Sequence, residues 1–508
     1  MKKILYLIAV VLALVFVLAS CDLAPEVSIS KDGYWVINGE KTDVKAKGEK
    51  GEKGEKGEDG KDATESDENP QGLAFFLKDD GTYAVEMGGA KYLSKIEIPA
   101  TYKGKAVTEV GAFSGSNIKE IIIPDSVTTL GSEAFANSTK LSKVTLGSSL
   151  KEISARTFFN CTSLLSVEMP ESITSIGFGA FANCTSLKNV EIPNTVTSIG
   201  GEAFANCIRL ETVTLGSSLQ KIDSYAFSEC VSLTSIEVPN SVKSIGSDAF
   251  YGCNNLESIT LPFIGSGEEN ANTHFGYVFG ASAFSYNNDY IPTSLKSVVI
   301  TGGSIIDFGA FFNCASLTSI QLPNDMTSIG SVAFSNCVSL TAITIPQNVT
   351  SIGSSAFSGC VSLTSIVIPD NVMNLGSDAF ESCTGLQEVT FGTSLQDIGA
   401  YAFYGCSSLV SITVPNSVTN IGSDAFAYCS ALLDVTLGSG LQSIGTYAFS
   451  DCFSLVNVTF ANPNGWSCSF SVDGANGMVV SADALANPES AAGYLTLNYY
   501  DCNWFRTE

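Results

Sequence analysis

Cys337 and Cys360 stand 23 residues apart, as do Phe334 and Phe357, and Leu340 and Leu363. Twelve of the 15 cysteines keep this step: Cys161, Cys184, Cys207, Cys230 and Cys253, then Cys314 through Cys452. Thiols can bind metals, bridge to one another or attack substrates, and each use needs its own arrangement. A zinc site needs clustered Cys and His ligands; the sequence offers no such cluster, so no metal is expected. A nucleophile needs a base, and the one histidine, His274, has no nucleophile elbow beside it. No Gly-rich phosphate loop with its lysine occurs, and the adjacent Glu268 and Glu269 suit solvation. Neither an enzyme nor a cofactor is expected. Disulfides require side chains that point at each other, whereas stacked copies point in parallel. Ser138 also takes the cysteine slot, which suits a small buried side chain with a weak donor. The expectation is an inert thiol ladder. Cys468 and Cys502 fall outside the interval and are a candidate disulfide pair.

The elements that position these thiols follow from the repeat itself. In Leu317-Thr318-Ser319-Ile320-Gln321-Leu322, Ile320 and Leu322 alternate with polar Ser319 and Gln321, the period of a half-buried strand. Pro323 ends it, because proline cannot donate to a ladder. Met326 and Ile329 then point inward, Gly330 marks a turn, and Ala333 and Phe334 fill the interior. A unit of 23 residues with one strand cannot bury its own apolar face, but stacked copies can, with strands pairing in parallel. Phe135, Phe158, Phe181, Phe204, Phe227 and Phe250 then form one ladder. Phe311, Phe334, Phe357, Phe380, Phe403, Phe426 and Phe449 continue it, with Phe284 as the step between. About 15 units would give a rod roughly 70 Å long. The expected fold is a repeat solenoid, a right-handed β/irregular coil with parallel strands on one face.

"LTSIVIPDNVMNLGSDAFESC" and its siblings resemble the leucine-rich repeats of the BspA type, also known from treponemal surface proteins. The resemblance covers most of residues 93 to 460. It departs from the commonest leucine-rich pattern, which has Asn or Cys soon after the strand, where Pro or Gly stands here. The resemblance implies adhesion to host matrix or cell proteins, or to other bacteria.

The opening "MKKILYLIAVVLALVFVLASC" has a cationic start and an apolar run too short for a comfortable span. Leu18-Ala19-Ser20-Cys21 resembles the lipobox of bacterial lipoproteins, which implies lipidation of Cys21 and an exported protein held on the envelope, on its outer surface. Residues 1–20 are then a signal peptide and 21–70 a tether. Within the tether, Tyr34 to Gly39 reads as a small hairpin with an Asn-Gly turn. Gly48, Gly51, Gly54, Gly57 and Gly60 resemble a collagen-like tract too short to trimerise by itself. Residues 71–110 read as an amino-terminal cap with the first strand, 111–460 as the repeats, and 461–508 as a carboxy-terminal cap. The net charge is −25, and only Lys296 and Arg506 are basic beyond residue 243. That balance argues against nucleic acid.

Two surfaces are candidates for binding. One is the outward strand row: Ser166 and Glu168, Asn189 and Glu191, Thr212 and Thr214, Ser235 and Glu237, Ser411 and Thr413. It would present regularly spaced hydroxyls to a protein or glycan. The other is the irregular insert 262–290, with Phe263, His274, Phe275, Tyr277, Phe279, Tyr286 and Tyr290, since loops extruded from a solenoid often carry function. The readings in competition are an adhesin, a glycan-capture lipoprotein and a passive envelope protein.

Overall fold

The structure is a computed structural model that describes residues 27–29, 34–37, 40–45, 69, 71–267, 273–470 and 477–506. The chain forms two units, Met1–Ser66 and Asp67–Glu508. In the first, strands Val27–Ile29, Tyr34–Ile37 and Glu40–Lys45 make an antiparallel sheet. Ile37 pairs with Glu40 across the Asn-Gly dipeptide, so the hairpin read from the sequence is present. The leader, Cys21 and the glycine tract lie outside the described residues.

The second unit is a parallel β-solenoid of about 16 turns. Its strand row begins at Lys95–Glu97, Glu120–Ile122 and Lys143–Thr145 and runs to Asp434–Leu437 and Asn457–Phe460. Neighbours pair parallel and in register, Asn189 with Thr212 and Ser411 with Asp434. The alternation read from the sequence sets the facing: in Ser319–Gln321 the middle Ile320 is buried and its neighbours are exposed. A second ladder, not anticipated, is built from two-residue strands such as Ser175–Ile176, Ser198–Ile199 and Ser328–Ile329. It is as strictly parallel as the first, Ser328 pairing with Ser351 and Ile329 with Ile352.

Glycine follows most of these short strands, with Ser154, Asp223 and Asp307 in the slot elsewhere, and its role is close packing rather than the turn expected at Gly330. A Cβ on Gly353 would lie 2.4 Å from the Ser331 nitrogen and 2.6 Å from the Gly330 carbonyl carbon. Backbones of successive turns therefore approach where a side chain would hold them apart.

Between the short strand and the next long one, each turn passes through tight bends around its ladder phenylalanine. The residues two before and two after that ring have left-handed backbone, as at Arg156 and Asn160 or Tyr401 and Gly405. Asn137, Asn160, Asn183, Asn206, Asn313 and Asn336 fill the second slot, where asparagine is tolerated better than most residues. Successive turns are bonded here too: the Phe334 N–H donates to the Ala356 carbonyl at 2.7 Å. We call this bonded bend region the turn face.

The core is continuous along the rod. Ladder rings stack at 5.1 to 5.8 Å from Phe135 to Phe250 and from Phe311 to Phe449, with planes within 15° of parallel. The insertion does not break it, but Phe284 is not its rung. Ser258 pairs in register with Ser297, so the extra residues all lie in one long turn. Phe279 stands 6.4 Å from Phe250, Phe275 5.4 Å from Phe279, and Phe275 5.1 Å from Phe311. Phe284 packs instead edge-on against Phe308 and Phe312.

Both ends are closed. The hairpin Ala74–Leu77 with Tyr83–Glu86 pairs with Lys105–Val110, which leads into the second ladder. At the far end Asn503–Arg506 pairs antiparallel with Ser443–Ile444, the last strand of that ladder. This pairing covers an edge that would otherwise be open to another chain. Among the described residues no helix is long and apolar enough to cross a membrane.

Candidate functional site

The thiols do what their slot allows. Cys161 Sγ donates to the Phe135 carbonyl at 3.2 Å, and Cys184, Cys207, Cys230 and Cys253 repeat the bond one turn on each time. After the long turn the series resumes with Cys337 on Phe311 and reaches Cys452 on Phe426. Ser138 donates to Phe113 in the same way. Burial pushes the Cys161, Cys207 and Cys253 thiols up to about 12. These groups stay protonated at neutral pH, which removes their nucleophilicity. Among the described residues no group of Cys, His, Asp and Glu is placed to hold a metal.

Cys468 and Cys502 lie in the carboxy-terminal cap, both buried as free thiols. Cys468 is on the strand Trp466–Ser469, directly opposite Trp504, and its thiol neighbours that of Cys502.

All ten residues of the strand row are exposed. Their side chains bond along the rod: Thr212 Oγ1 donates to Asn189 Oδ1 at 2.7 Å. Asn457 donates to Asp434 farther along at 2.8 Å. In the first turns the row is ionic, with Glu120 between Lys95 at 3.6 Å and Lys143 at 3.2 Å. Those ammonium groups, Lys143 foremost, hold the Glu120 carboxyl below its ordinary value. Past this stretch the row is neutral or acidic.

The insert is mostly core rather than an extruded loop. Phe263, Phe275 and Phe279 are buried, and Tyr277 is partly so. His274 is buried, with Nδ1 3.3 Å from Asn287 Oδ1. Burial lowers its pKa against the opposing Asn287 bond, so the imidazole is neutral at pH 7. Asn287 in turn accepts from the Gly276 N–H and donates to the Phe312 carbonyl, which ties the long turn to the next one. Phe275 and Phe279 cannot meet a ligand without opening the rod. Only Tyr286 and Tyr290 of the seven insert candidates are exposed. A cavity of about 430 Å³ opens where the insert interrupts the second ladder, lined by Phe263, Ile264, Thr273, Ile305, Asp307 and Asp325.

Sequence reasoning passed over one aromatic surface. Tyr401, Tyr428, Tyr447 and Tyr500 are exposed on or beside the turn face, and Tyr404 is half-buried among them. The signal was available: the slots two before and one after the ladder phenylalanine, and the slot two after it, carry Tyr401, Tyr404, Tyr428 and Tyr447 in neighbouring units.

The BspA-type leucine-rich repeat region matches residues 106–232, 174–279, 280–406 and 350–465, which together take in most of the 508-residue chain. The chain belongs to the BspA-type leucine-rich repeat family. Among solved structures, a leucine-rich cell surface protein of Faecalibacterium prausnitzii is 28% identical, covering 77% of this chain and 93% of its own, at a TM-score of 0.37. A leucine-rich repeat protein of Bacteroides ovatus is also 28% identical, with 76% and 92% covered and a TM-score of 0.36. The pneumococcal vaccine antigen PcpA is 19% identical, with 72% and 91% covered and a TM-score of 0.31. No curated protein matches the chain. A BspA-type chain of this kind is a protein-binding repeat scaffold in a family that includes bacterial cell-surface proteins.

Proposed function

We propose that this chain is a lipid-anchored protein of the bacterial outer surface whose solenoid binds macromolecules without catalysis, in adhesion to host matrix or cell proteins or to other bacteria. The observation that carries the reading is the strand row. Ten exposed polar side chains repeat in register along one face, fixed by the ladder beneath them, and present a flat regular surface to an extended partner. Rigid placement lowers the ordering cost of binding. The lipobox-like Leu18-Ala19-Ser20-Cys21 supports the anchor, and the family supports the surface location.

The test is an array. The unit Asp67–Glu508, displayed against matrix proteins and a panel of glycans, is expected to bind at least one matrix protein. Replacing Asn189, Glu191, Thr212 and Thr214 together by alanine is expected to lower that binding at least tenfold, about 1.4 kcal/mol. Binding to no matrix protein, or binding indifferent to the fourfold variant, contradicts the adhesive role of this row. Capture of glycans alone would favour a sugar-binding lipoprotein. In cells, Cys21→Ser is expected to move the protein from the membrane fraction to the medium or soluble fraction. Full membrane retention would contradict lipidation at Cys21.

A further inference from the structure

Arg156 shows what the turn face does with a cation. Its guanidinium carbon lies 5.4 Å from the centre of the Phe159 ring and 5.7 Å from that of Phe178. Its Nη1 is 3.5 Å from Glu133 Oε1. Arg156 fills the left-handed slot before ladder residue Phe158, Glu133 the same slot one turn earlier, and Phe159 the slot just after Phe158. The site is thus one guanidinium between aromatic faces and a carboxylate from the preceding turn.

Downstream the same slots carry the rings and the carboxylates but no cation. Tyr401 and Tyr447 stand where Arg156 stands, with Asp378 and Asp424 alternating between them, and Tyr404 takes the slot of Phe159. Tyr401 and Tyr404 are 5.7 Å apart at 57°, and Tyr404 and Tyr428 5.1 Å apart at 59°. Rings tilted in this way leave faces open to a third group, and Tyr401 is 41% and Tyr428 48% exposed. The cap extends the strip, Tyr500 lying 5.8 Å from Tyr447. The Asp424 carboxylate beside Tyr401, and Asp451 beside Tyr428, raise those hydroxyls above their ordinary value by their charge.

No lysine, arginine or histidine occurs from residue 297 to residue 505. The flanking cations are committed elsewhere, Lys296 to the Thr293 carbonyl at 2.8 Å and Arg506 to the Ser439 carbonyl at 2.7 Å. Burial and the neighbouring Glu381 carboxylate raise the Asp378 carboxyl, the condition a nearby cation would reverse.

We propose that the turn face between Asp378 and Tyr500 docks a cationic protein segment, whose arginine side chains lie on the Tyr401, Tyr404 and Tyr428 rings and pair with Asp424 and Asp451. Guanidinium groups bind aromatic faces and carboxylates together, as Arg156 does within this chain. The surrounding negative field draws such a segment in, and tyrosine supplies contact area at low entropic cost. A neutral sugar would use the rings but gain nothing from the missing counter-charge. The surface lies on a different segment of each turn from the strand row, so this inference and the adhesive reading can fail separately.

The experiment measures binding of a fluorescent (Arg-Gly)6 peptide to the full chain by anisotropy, beside (Lys-Gly)6 and a neutral glucose hexasaccharide. The arginine peptide is expected to bind most tightly, with affinity falling as salt rises. Replacing Tyr401, Tyr404 and Tyr428 by serine is expected to cost at least about tenfold, three cation–π contacts being removed. The triple phenylalanine variant, which keeps the rings, is expected to hold within about threefold of the natural chain. Asp424→Asn with Asp451→Asn is expected to weaken binding and flatten its salt dependence, while Asp434→Asn on the strand row leaves it unchanged. Circular dichroism of each variant reports whether it has folded, and the half-buried Asp424 and Asp451 pair stands as the reading if the serine variant has not. Equal binding by the natural and serine chains, equal affinity for the lysine peptide, or capture of the hexasaccharide alone would overturn the proposal.

Discussion

Raising the pH from 8 to 11 is expected to unravel the solenoid, with most of the loss within about one unit above pH 9. Eleven rung thiols, from Cys161 to Cys429, are raised above the ordinary value of 9.0, three of them to about 12; burial is the main cause in all but Cys429, where the neighbouring Cys452 thiol comes before it. The sign follows from which form is charged. A thiol is neutral when protonated, so a raised pKa in the fold means that the folded chain holds protons the unfolded chain releases. Stability is fully present below pH 9 and falls as pH rises towards the folded values. Each thiol contributes a slope of about 1.4 kcal/mol per pH unit in that window. Eleven acting together give about 15 kcal/mol per unit, as much as the whole stability of an ordinary domain. Because neighbouring turns hold each other, the loss can begin at any stretch of the ladder and spread. Far-UV circular dichroism against pH checks it. Replacing Cys337, Cys360 and Cys383 by serine, the residue found naturally at position 138, is expected to move the alkaline midpoint upward. A midpoint unchanged by these substitutions would mean that other groups govern the transition.

Phe357→Ala is the second large effect. The ring is fully buried and stacks at 5.1 Å on both Phe334 and Phe380, nearly parallel to each. Its carbonyl accepts the Cys383 thiol and its N–H donates to the Ala379 carbonyl, so both backbone groups bond the following turn while the ring touches the turns on both sides. Truncation leaves a cavity between stacked rings and is expected to cost about 3–5 kcal/mol. In a one-dimensional array such a defect weakens two interfaces at once. The guanidinium unfolding curve of the variant is therefore expected to separate into two steps, one for each side of the break. Phe453→Ala is the matched control: that ring is 80% exposed, and its removal is expected to change stability by less than about 0.5 kcal/mol. Equal effects from the two substitutions would deny the ladder its role.

Most of the architecture was legible because the period repeats its own evidence. Ile320 between Ser319 and Gln321 set the facing of one strand, and a dozen copies set the rest. The second ladder was not legible, since two residues such as Ser328 and Ile329 are too short to show an alternation. The glycine after them looked like a bend, and only the approach of Gly353 to Ser331 reveals the backbone contact. In the insert, Ala283-Phe284 reproduces the Ala-Phe signature, which drew the ladder to the wrong ring. Phe275 and Phe279 carry no such neighbour and are placed by the fold of the long turn. The strand row was found because outward positions follow from strand period. The tyrosine strip was not, because Tyr401, Tyr404 and Tyr428 come together only through the stacking of bends in space.

Thiol labelling resolved by mass spectrometry tests the sealed ladder most directly. Folded protein at pH 8 is exposed to iodoacetamide, and the modified fraction at each cysteine is followed in time. The twelve rung thiols from Cys161 to Cys452 are buried, and their labelling is expected to be slow until denaturant unfolds the array, when all twelve should react as free thiols. Rapid modification of Cys337 or Cys360 in folded protein, or their recovery as disulfides, would contradict a core sealed between stacked turns.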